Sequence, residues 1–329
     1  MKPLRWCGRY YNNKHDSIAW RIKNFTASLF YLAGHHAKKL FLRNAHTHGQ
    51  TTTVTTTTYQ PISNSTTPAI TWLGHSSFLI QIAGLNIIAD PMFFEKNPLF
   101  KRRIPFPLNI NALPKIDVVI VSHNHTDHLD TKSLHAIDHH NPHILVPMGN
   151  KSWLEKKGFT HVTEYMWQDI FSIQTPTQQD PVTFTFLPAS HWTSRGIFDI
   201  NKTLWGSWLI KTTSHTIYFA GDTAYDDHFK KIYHQYGAPD IVLMPIGPNE
   251  PRRFIYEAHV NAQEAVQAFI ELSGRHFIPM HWGTFTRMGA EQHTQQYNKL
   301  ISAWQNNQTK LQNASLHICD CGFTLHIKD

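Results

Sequence analysis

The segment Ser122–Asp130 constrains this chain more than any other, because it places four metal-ligand side chains within six residues. The four are His123, His125, Asp127 and His128. Imidazole together with carboxylate suits zinc and similar divalent ions. The residues just before it, Ile116–Val121, form an apolar, β-branched run of strand length. The ligands therefore begin where a buried strand ends, which is where loops on a rigid scaffold carry chemistry.

The spacing of these ligands predicts the beginning of two metal sites. Alternate side chains of an extended segment point the same way, so His123 and His125 can converge on one ion. Asp127 and His128 follow in a turn and can point to a second position nearby. A histidine-rich surface loop is the alternative, because the chain contains 24 histidines. The order His-x-His-x-Asp-His after a hydrophobic strand is far more specific than histidine content.

Length and composition limit the number of domains and the classes of protein to which the chain can belong. A chain of 329 residues with 41% hydrophobic content suits one large α/β domain or two smaller ones. No run approaches 18 uncharged apolar residues and no clear signal peptide is seen, so we expect a cytoplasmic or peripheral-membrane protein. The cysteines Cys7, Cys319 and Cys321 predict free thiols rather than a disulfide framework.

Basic charge is concentrated at the N-terminus. Residues 1–43 hold nine of the 30 Lys and Arg residues and one of the 23 acidic residues, leaving 21 basic and 22 acidic residues elsewhere. We interpret residues 1–44 as a basic, aromatic arm that either binds an anionic membrane surface or folds onto the main domain. Nucleic acid is a weaker alternative, since the main domain is nearly neutral. The Thr/Ser-rich residues 45–67 predict a linker, and 68–329 the catalytic domain.

Hydrophobic patterning in residues 68–329 predicts two packed mixed sheets with helices outside. The predicted strands are Ala69–Leu73, Ser77–Ile82, Leu85–Ala89, Asp117–Val121, His143–Val146, Thr183–Leu187, Ser207–Lys211, Thr216–Ala220, Asp240–Met244, His276–Pro279, Ser315–Cys319 and Phe323–Ile327. The predicted helices are Thr131–Ile137, Lys151–Lys156, Asp226–Gln235, Asn261–Leu272 and Ala290–Trp304.

Three later strands also end in ligand-type residues. His191, Asp222 and His281 each follow a predicted strand and precede a turn. Taken singly, each could be a capping aspartate or a hydrogen-bonded histidine. Four ligand-bearing strand ends in one domain are hard to explain by packing, so they predict the rest of the metal centre.

Several motifs together resemble the metallo-β-lactamase-fold hydrolases and, among them, the N-acyl-phosphatidylethanolamine-hydrolysing phospholipase D family. The matching segments, in the family's order, are Thr71–Ser77, Asp90–Phe93, Ser122–Asp130, Pro188–Trp192, Leu204–Trp208, Phe219–Thr223, Glu250–Arg252, His259–Asn261 and His281–Phe285. The resemblance implies an α/β (α+β) fold, a four-layer αββα sandwich to which the basic arm is added, with a two-metal site at its edge.

The resemblance also implies a role for each ligand. One zinc, or another divalent ion, would be held by His123, His125 and His191. A second would be held by Asp127, His128 and His281, and Asp222 would bridge the two. Asp90 would orient a ligand histidine. His75 and His259 would line the site or serve as structural histidines. The residues expected on the substrate side are Trp192, Asn249, Glu250 and Arg252.

The implied reaction is hydrolysis of N-acyl-phosphatidylethanolamine to N-acylethanolamine and phosphatidic acid by a hydroxide bridging two zinc ions. Asp127 would steer that hydroxide or carry a proton, and His259 would protonate the leaving group. The implied partners are phospholipid, a membrane surface and a second copy of the chain. Departures from the family at Pro248-Asn249, Arg253 and Ala262 bear on headgroup or acyl specificity.

Three other functions compete with this one. The fold hosts many chemistries, so a lactonase or other esterase could use the same metal site. A nuclease or another phosphodiesterase is favoured by the basic arm. A membrane-binding module with a degenerate site is disfavoured, because all seven expected ligands are present.

Overall fold

Two sheets of seven strands form the centre of the computed structural model, which describes residues 2–12, 67–95, 101–196, 198–285 and 293–327. The strands are β1 (Leu4–Trp6), β2 (Arg9–Tyr11), β3 (Ala69–Gly74), β4 (Ser77–Ile82), β5 (Leu85–Ala89), β6 (Val118–Ile120), β7 (His143–Pro147), β8 (Val162–Tyr165), β9 (Ile170–Ile173), β10 (Val182–Leu187), β11 (Ser207–Lys211), β12 (Thr216–Phe219), β13 (Ile241–Pro245), β14 (His276–Met280), β15 (Ser315–Leu316) and β16 (Thr324–His326). The helices are α1 (Thr131–Ile137), α2 (Lys151–Glu155), α3 (His228–Tyr236), α4 (Arg252–Ile255), α5 (Ala262–Leu272) and α6 (His293–Gln305), with short 3₁₀ turns at Ile110–Ala112, Asp138–His140 and Gln308–Lys310.

Each sheet is antiparallel at one side and parallel at the other. The first has the order β16-β3-β4-β5-β6-β7-β8 and becomes parallel from β5 onward. The second has the order β15-β14-β13-β12-β11-β10-β9 and is parallel from β12 to β15. The carboxyl ends of parallel strands meet at one edge of a sheet, and open α/β folds bind ligands there.

Successive side chains of a strand face opposite sides of the sheet, and this divides the hydrophobic core into two layers. In the first sheet, Trp72, Phe78 and Ile80 belong to the large cluster between the sheets. Their neighbours Leu79 and Ile88 belong to a second cluster under α1 and α2, with Leu134, Ile137 and Leu154. Because successive side chains of a strand face opposite ways, both faces of this sheet are covered. The four-layer αββα arrangement, and the predicted fold class, are confirmed.

Most predicted elements are present with small changes at their ends. The bounds of β4, β5, β11 and α1 agree with the prediction, and β15 and β16 are shorter than predicted. Prediction missed β8 and β9, which lie at the edges of the sheets and carry exposed positions. It also missed α4 and the hairpin of β1 and β2. None of the helices in the described residues is long and apolar enough to cross a membrane.

The first residues of the N-terminal arm pack on the main domain. The hairpin of β1 and β2 turns at Cys7 and Gly8, which both have positive φ. Tyr10 is 2% exposed, and its N–H donates to the carbonyl of Asn201 at 2.8 Å. The Asn12 side chain donates to the carbonyl of His191 at 3.0 Å. Residues 13–66, which hold the rest of the arm and almost all of the predicted linker, lie outside the described residues.

Candidate metal centre

Strand ends bring the predicted ligands to one edge of the sandwich. The loop after β6 carries four of them. His191, Asp222 and His281 follow β10, β12 and β14, while Asp90 follows β5 and His75 lies in the turn from β3 to β4. All seven predicted ligands, with His75, Asp90 and His259, fall into groups whose ligand atoms lie within 4.8 Å of one another.

The first group is a triad of imidazoles. His125 Nδ1 lies 2.9 Å from His123 Nε2 and 3.2 Å from His191 Nε2. The other nitrogen of His191, Nδ1, lies 2.8 Å from the carbonyl of Ala258 and donates to it. Nε2 of His191 therefore keeps a lone pair that faces the triad.

The second group contains Asp127, His128 and His281, and the structure adds His75. His75 Nε2 lies 3.1 Å from Asp127 Oδ2. The backbone of His75 is in the left-handed region, with φ of 56°. Its carbonyl accepts from the indole N–H of Trp72 at 2.9 Å and from the backbone N–H of His281 at 3.1 Å. These contacts tie the turn from β3 to β4 to the segment that carries His281.

Asp222 lies between the two groups. Its Oδ2 atom is 3.1 Å from His281 Nε2 and 3.3 Å from His128 Nε2, both in the second group. The same oxygen is 3.9 Å from His191 Nε2 and 4.0 Å from His123 Nε2, in the first. A carboxylate in this position can contact ions in both groups, as the sequence interpretation of Asp222 requires.

Buried polar atoms at the centre fit divalent ions. Buried polar groups nearly always have a hydrogen-bond partner. Within the described part of the chain, no such partner exists for His125 Nε2, Asp222 Oδ1 or His281 Nδ1. A set of imidazoles and carboxylates without a thiolate suits Zn²⁺ and other borderline divalent ions. The residues of the centre therefore fit two such ions.

Burial and mutual contact set the charge states of the metal-free centre. Burial lowers the pKa of His125 to about 4 and holds the pKa values of His123 and His191 well below the usual range. Burial also opposes charge on His128, but the carboxylates of Asp222 and Asp127 outweigh it and raise the pKa of His128 well above its usual value. The first triad is thus neutral near pH 7, whereas His128 carries a proton.

The buried carboxylate of Asp90 helps to position ligands of both groups. Asp90 accepts hydrogen bonds from the N–H and the hydroxyl of Ser122, at 2.7 and 2.6 Å, and lies 2.7 Å from His128 Nδ1. Because the Ser122 hydroxyl donates to Asp90, its oxygen is free to accept from His123 Nδ1, 2.9 Å away. Asp90 thus contacts one ligand of the second group directly and one of the first group through Ser122.

Comparison with known proteins decides the family. Residues 85–282 match the sequence profile of a beta-lactamase superfamily domain. The chain belongs to the metallo-β-lactamase superfamily. It is a metal-dependent hydrolase of that fold.

Two relatives and one solved structure illustrate the similarity. The chain is 35% identical over 243 residues to N-acyl-phosphatidylethanolamine-hydrolyzing phospholipase D 1 of Caenorhabditis elegans, covering 70% of this chain and 68% of that protein. It is 35% identical over 227 residues to the mitochondrial N-acyl-phosphatidylethanolamine-hydrolyzing phospholipase D of Saccharomyces cerevisiae, covering 67% of this chain and only 48% of the yeast protein. The structure of Igni18, a metallo hydrolase from Ignicoccus hospitalis, has a TM-score of 0.60 and 22% identity, covering 80% of this chain and 99% of that one.

His259, expected to line the site, and the four residues expected on its substrate side divide into two sets. Trp192 and His259 lie at the metal centre: the Trp192 ring packs edge-on against His125 at 4.5 Å, and His259 Nδ1 is 3.7 Å from Asp222 Oδ2. Asn249, Glu250 and Arg252 instead have protein partners.

These partners shape the loop that carries His259. Asn249 Oδ1 accepts from the N–H of Ala262 at 2.8 Å, at the start of α5. Arg252 donates to both oxygens of Glu264 and to the carbonyl of His259, at 2.5 to 2.6 Å. The side chain of Glu250 is half-exposed, 3.4 Å from Lys299 Nζ. A role for the three in substrate binding stays a prediction.

Sequence reasoning gave no role to Ser122, Asn12 and Arg195. Ser122 contacts Asp90 and His123, Asn12 donates to the carbonyl of His191, and Arg195 donates to the carbonyls of Asn124 and Leu129 in the ligand loop. Ser122 directly precedes the ligand motif, and a hydroxyl between a buried strand and a ligand histidine was an available signal. Asn12 is 179 residues from His191 along the chain, and no pattern in the sequence links them.

Proposed function

We propose that this chain is a phosphodiesterase of phospholipase D type that holds two zinc ions and hydrolyses N-acyl-phosphatidylethanolamine, or a related phospholipid, to N-acylethanolamine and phosphatidic acid. The observation that carries the proposal is the position of Asp222 between two convergent ligand groups. The names of the nematode and yeast relatives support the substrate class.

Two divalent ions at such a centre supply an activated water near neutral pH and neutralise charge on a phosphodiester. The chain's own residues would orient the reactants. His128 and His75 keep the pKa of Asp127 well below its usual value although burial opposes the shift, so the half-buried Asp127, 3.1 Å from His75, can accept a hydrogen bond from the attacking water and orient it toward phosphorus. Burial of His75 lowers its pKa to about 4, so its ring is neutral near pH 7 and orients Asp127 by a hydrogen bond.

His259 lies beside Asp222, with its Nδ1 atom 3.7 Å from Asp222 Oδ2. Burial lowers the pKa of His259 to about 3, although the Asp222 carboxylate opposes the shift. A neutral imidazole suits a hydrogen bond to the leaving-group oxygen better than outright proton transfer. We therefore propose that His259 orients the leaving group, and that Arg252 fixes His259 through its carbonyl.

Product analysis tests the substrate proposal. The protein is incubated with vesicles of N-acyl-phosphatidylethanolamine, phosphatidylethanolamine and phosphatidylcholine in ¹⁸O-labelled water, and the products are identified by mass spectrometry. We expect N-acylethanolamine without label and phosphatidic acid with one ¹⁸O, because water attacks phosphorus. Labelled free fatty acid would instead identify an esterase, and diacylglycerol would identify cleavage of the other phosphoester bond. Either product in place of phosphatidic acid contradicts the proposal.

We further propose that the basic arm brings the enzyme to an anionic membrane. Nine basic residues within residues 1–43 provide the charge. In the loop that follows His191, Phe198 is 83% exposed, and its carbonyl accepts from the guanidinium of Arg9 at 3.4 Å. An exposed aromatic side chain beside basic residues suits the interface of a bilayer.

The test of the arm must leave the hairpin of β1 and β2 intact, because that hairpin packs beside His191. The five residues to be replaced by glutamine are Arg21, Lys23, Lys38, Lys39 and Arg43. Each basic residue near an anionic surface contributes about 1 kcal/mol, so we expect binding to phosphatidylserine vesicles to weaken by at least about tenfold. Turnover of soluble bis(p-nitrophenyl) phosphate should stay unchanged. Undiminished vesicle binding by the variant would refute the role of the arm.

A further inference from the structure

We propose that Arg195 is a positioning residue that fixes the ligand loop of both metal groups relative to His191. The proposal rests on the two-metal centre proposed above. Nη1 of Arg195 donates to the carbonyl of Asn124 at 2.9 Å and to the carbonyl of Leu129 at 2.8 Å. These two carbonyls flank the turn that carries His125, Asp127 and His128. One guanidinium nitrogen therefore holds both ends of that turn.

The guanidinium of Arg195 is itself held in place. Its central carbon lies 4.3 Å from the centre of the Trp153 ring, a cation–π contact that fixes the plane of the group. The backbone N–H of Arg195 donates to Asp199 Oδ2 at 2.9 Å, and the N–H of Gly196 donates to Asp199 Oδ1 at 2.8 Å. These backbone donors hold the pKa of Asp199 below its usual value although burial opposes the shift, so the carboxylate stays charged.

The loop that carries Arg195 is also the loop that follows His191. Two hydrogen bonds close the base of this loop. The N–H of Asn201 donates to the carbonyl of Thr193 at 2.7 Å, and the N–H of Thr193 donates to Oδ1 of Asn201 at 3.1 Å. Arg195 thus connects the third histidine of the first group to the loop that supplies the other two. Asp90 holds the same ligand loop at Ser122 and His128. With Arg195 at Asn124 and Leu129, the loop is held from two sides.

Arginine is suited to this position. Its planar guanidinium can stack on Trp153 while it donates to two backbone oxygens, and its charge persists at any working pH. Burial lowers the pKa of Arg195, opposed by the carboxylates of Asp130, Asp199 and Asp127. The charge of Arg195 also acts through space on two ligands, Asp127 and His125. Its hydrogen bonds to the ligand loop go to backbone carbonyls, and through them it fixes the position of the loop.

Cobalt binding tests the role of Arg195 without any phospholipid. The variants are Arg195→Met, Arg195→Lys and a matched control, Arg275→Met. Arg275 is exposed and pairs with Asp240 at 3.3 Å, at the start of β14 and so at the sheet edge opposite the metal centre. Groups that orient metal ligands typically contribute about 10–100-fold to metal affinity. We expect R195M to lose that much Co²⁺ affinity for both ions and to shift the visible absorption bands of bound Co²⁺.

The remaining variants make the result decisive. R195K should recover part of the affinity, because an ammonium group can reach one carbonyl, and R275M should match the wild type in affinity and spectrum. Wild-type affinity and spectrum in R195M would overturn the proposal, and so would a lower unfolding temperature of the metal-free protein with unchanged Co²⁺ binding. Should R195M fail to fold, R195K decides by the same two measurements. A wild-type chain that binds no Co²⁺ would contradict the metal centre itself, whereas a different substrate would leave this test unaffected.

Discussion

Replacing Asp222 with asparagine should reduce kcat by at least about a thousandfold, equivalent to about 4 kcal/mol in the activation barrier. The reason is the position of Asp222 Oδ2, within 4.0 Å of four ligand imidazoles from both groups. A carboxamide is neutral and offers one acceptor oxygen, so it cannot serve both groups. The measurement is turnover of bis(p-nitrophenyl) phosphate together with metal content.

The control for Asp222→Asn is Asp227→Asn. Asp227 lies five residues away at the start of α3, with a side chain that is 64% exposed and paired with Lys231. Exposed pairs of this kind contribute about 0–1 kcal/mol, so activity and metal content should match the wild type. The circular dichroism spectrum of the Asp222 variant should also match, because Asp222 follows β12 rather than forming part of it. Full activity in that variant would disprove the bridging position.

Affinity for the second ion should rise with pH in the neutral range, by up to about tenfold for each pH unit, while affinity for the first stays nearly constant. The sign follows from His128. Its pKa is raised above the usual value, so the ring is protonated in this range, and the ion must displace that proton. The imidazoles of the first triad have lowered pKa values and are already neutral.

Calorimetric titration with Zn²⁺ in two buffers of different ionisation enthalpy measures this proton directly. About one proton should be released with the second ion near pH 7, and almost none with the first. His234→Gln, which removes an exposed imidazole from α3, should leave both values unchanged. Equal proton release by the two ions would show that His128 is neutral before metal binding.

The fold was predictable from sequence where apolar runs end in turn residues. β4 and β5 are fully or mostly buried, and the turn Ala83-Gly84 between them has positive φ at both positions. β8 and β9 were missed because edge strands bury fewer positions and carry polar residues, which weakens the hydrophobic signal. No local pattern marks such a strand until its neighbour in the sheet is known.

The convergence of the candidate ligands was predictable for a related reason, since each follows a strand whose end lies at the same edge. The supporting residues were not. Arg195 and Asn12 bind backbone carbonyls, which every residue possesses, so their targets leave no trace in the sequence. Arg252 shows the opposite problem, a residue that is conspicuous in the sequence but has an unexpected partner. The motif Glu250–Arg252 suggested substrate binding, whereas the guanidinium of Arg252 contacts Glu264 and the carbonyl of His259. A motif identifies a chemical group but not the partner that the fold gives it.

The central claim is that these strand ends form one centre for two metal ions. The most direct test is the metal content of the purified protein, measured by inductively coupled plasma mass spectrometry after exhaustive dialysis without chelator. We predict about two zinc or equivalent divalent ions per chain, with a clear loss in Asp222→Asn. A fully active wild-type protein that carries no bound divalent ion, and whose turnover is unchanged by a chelator, would contradict the account.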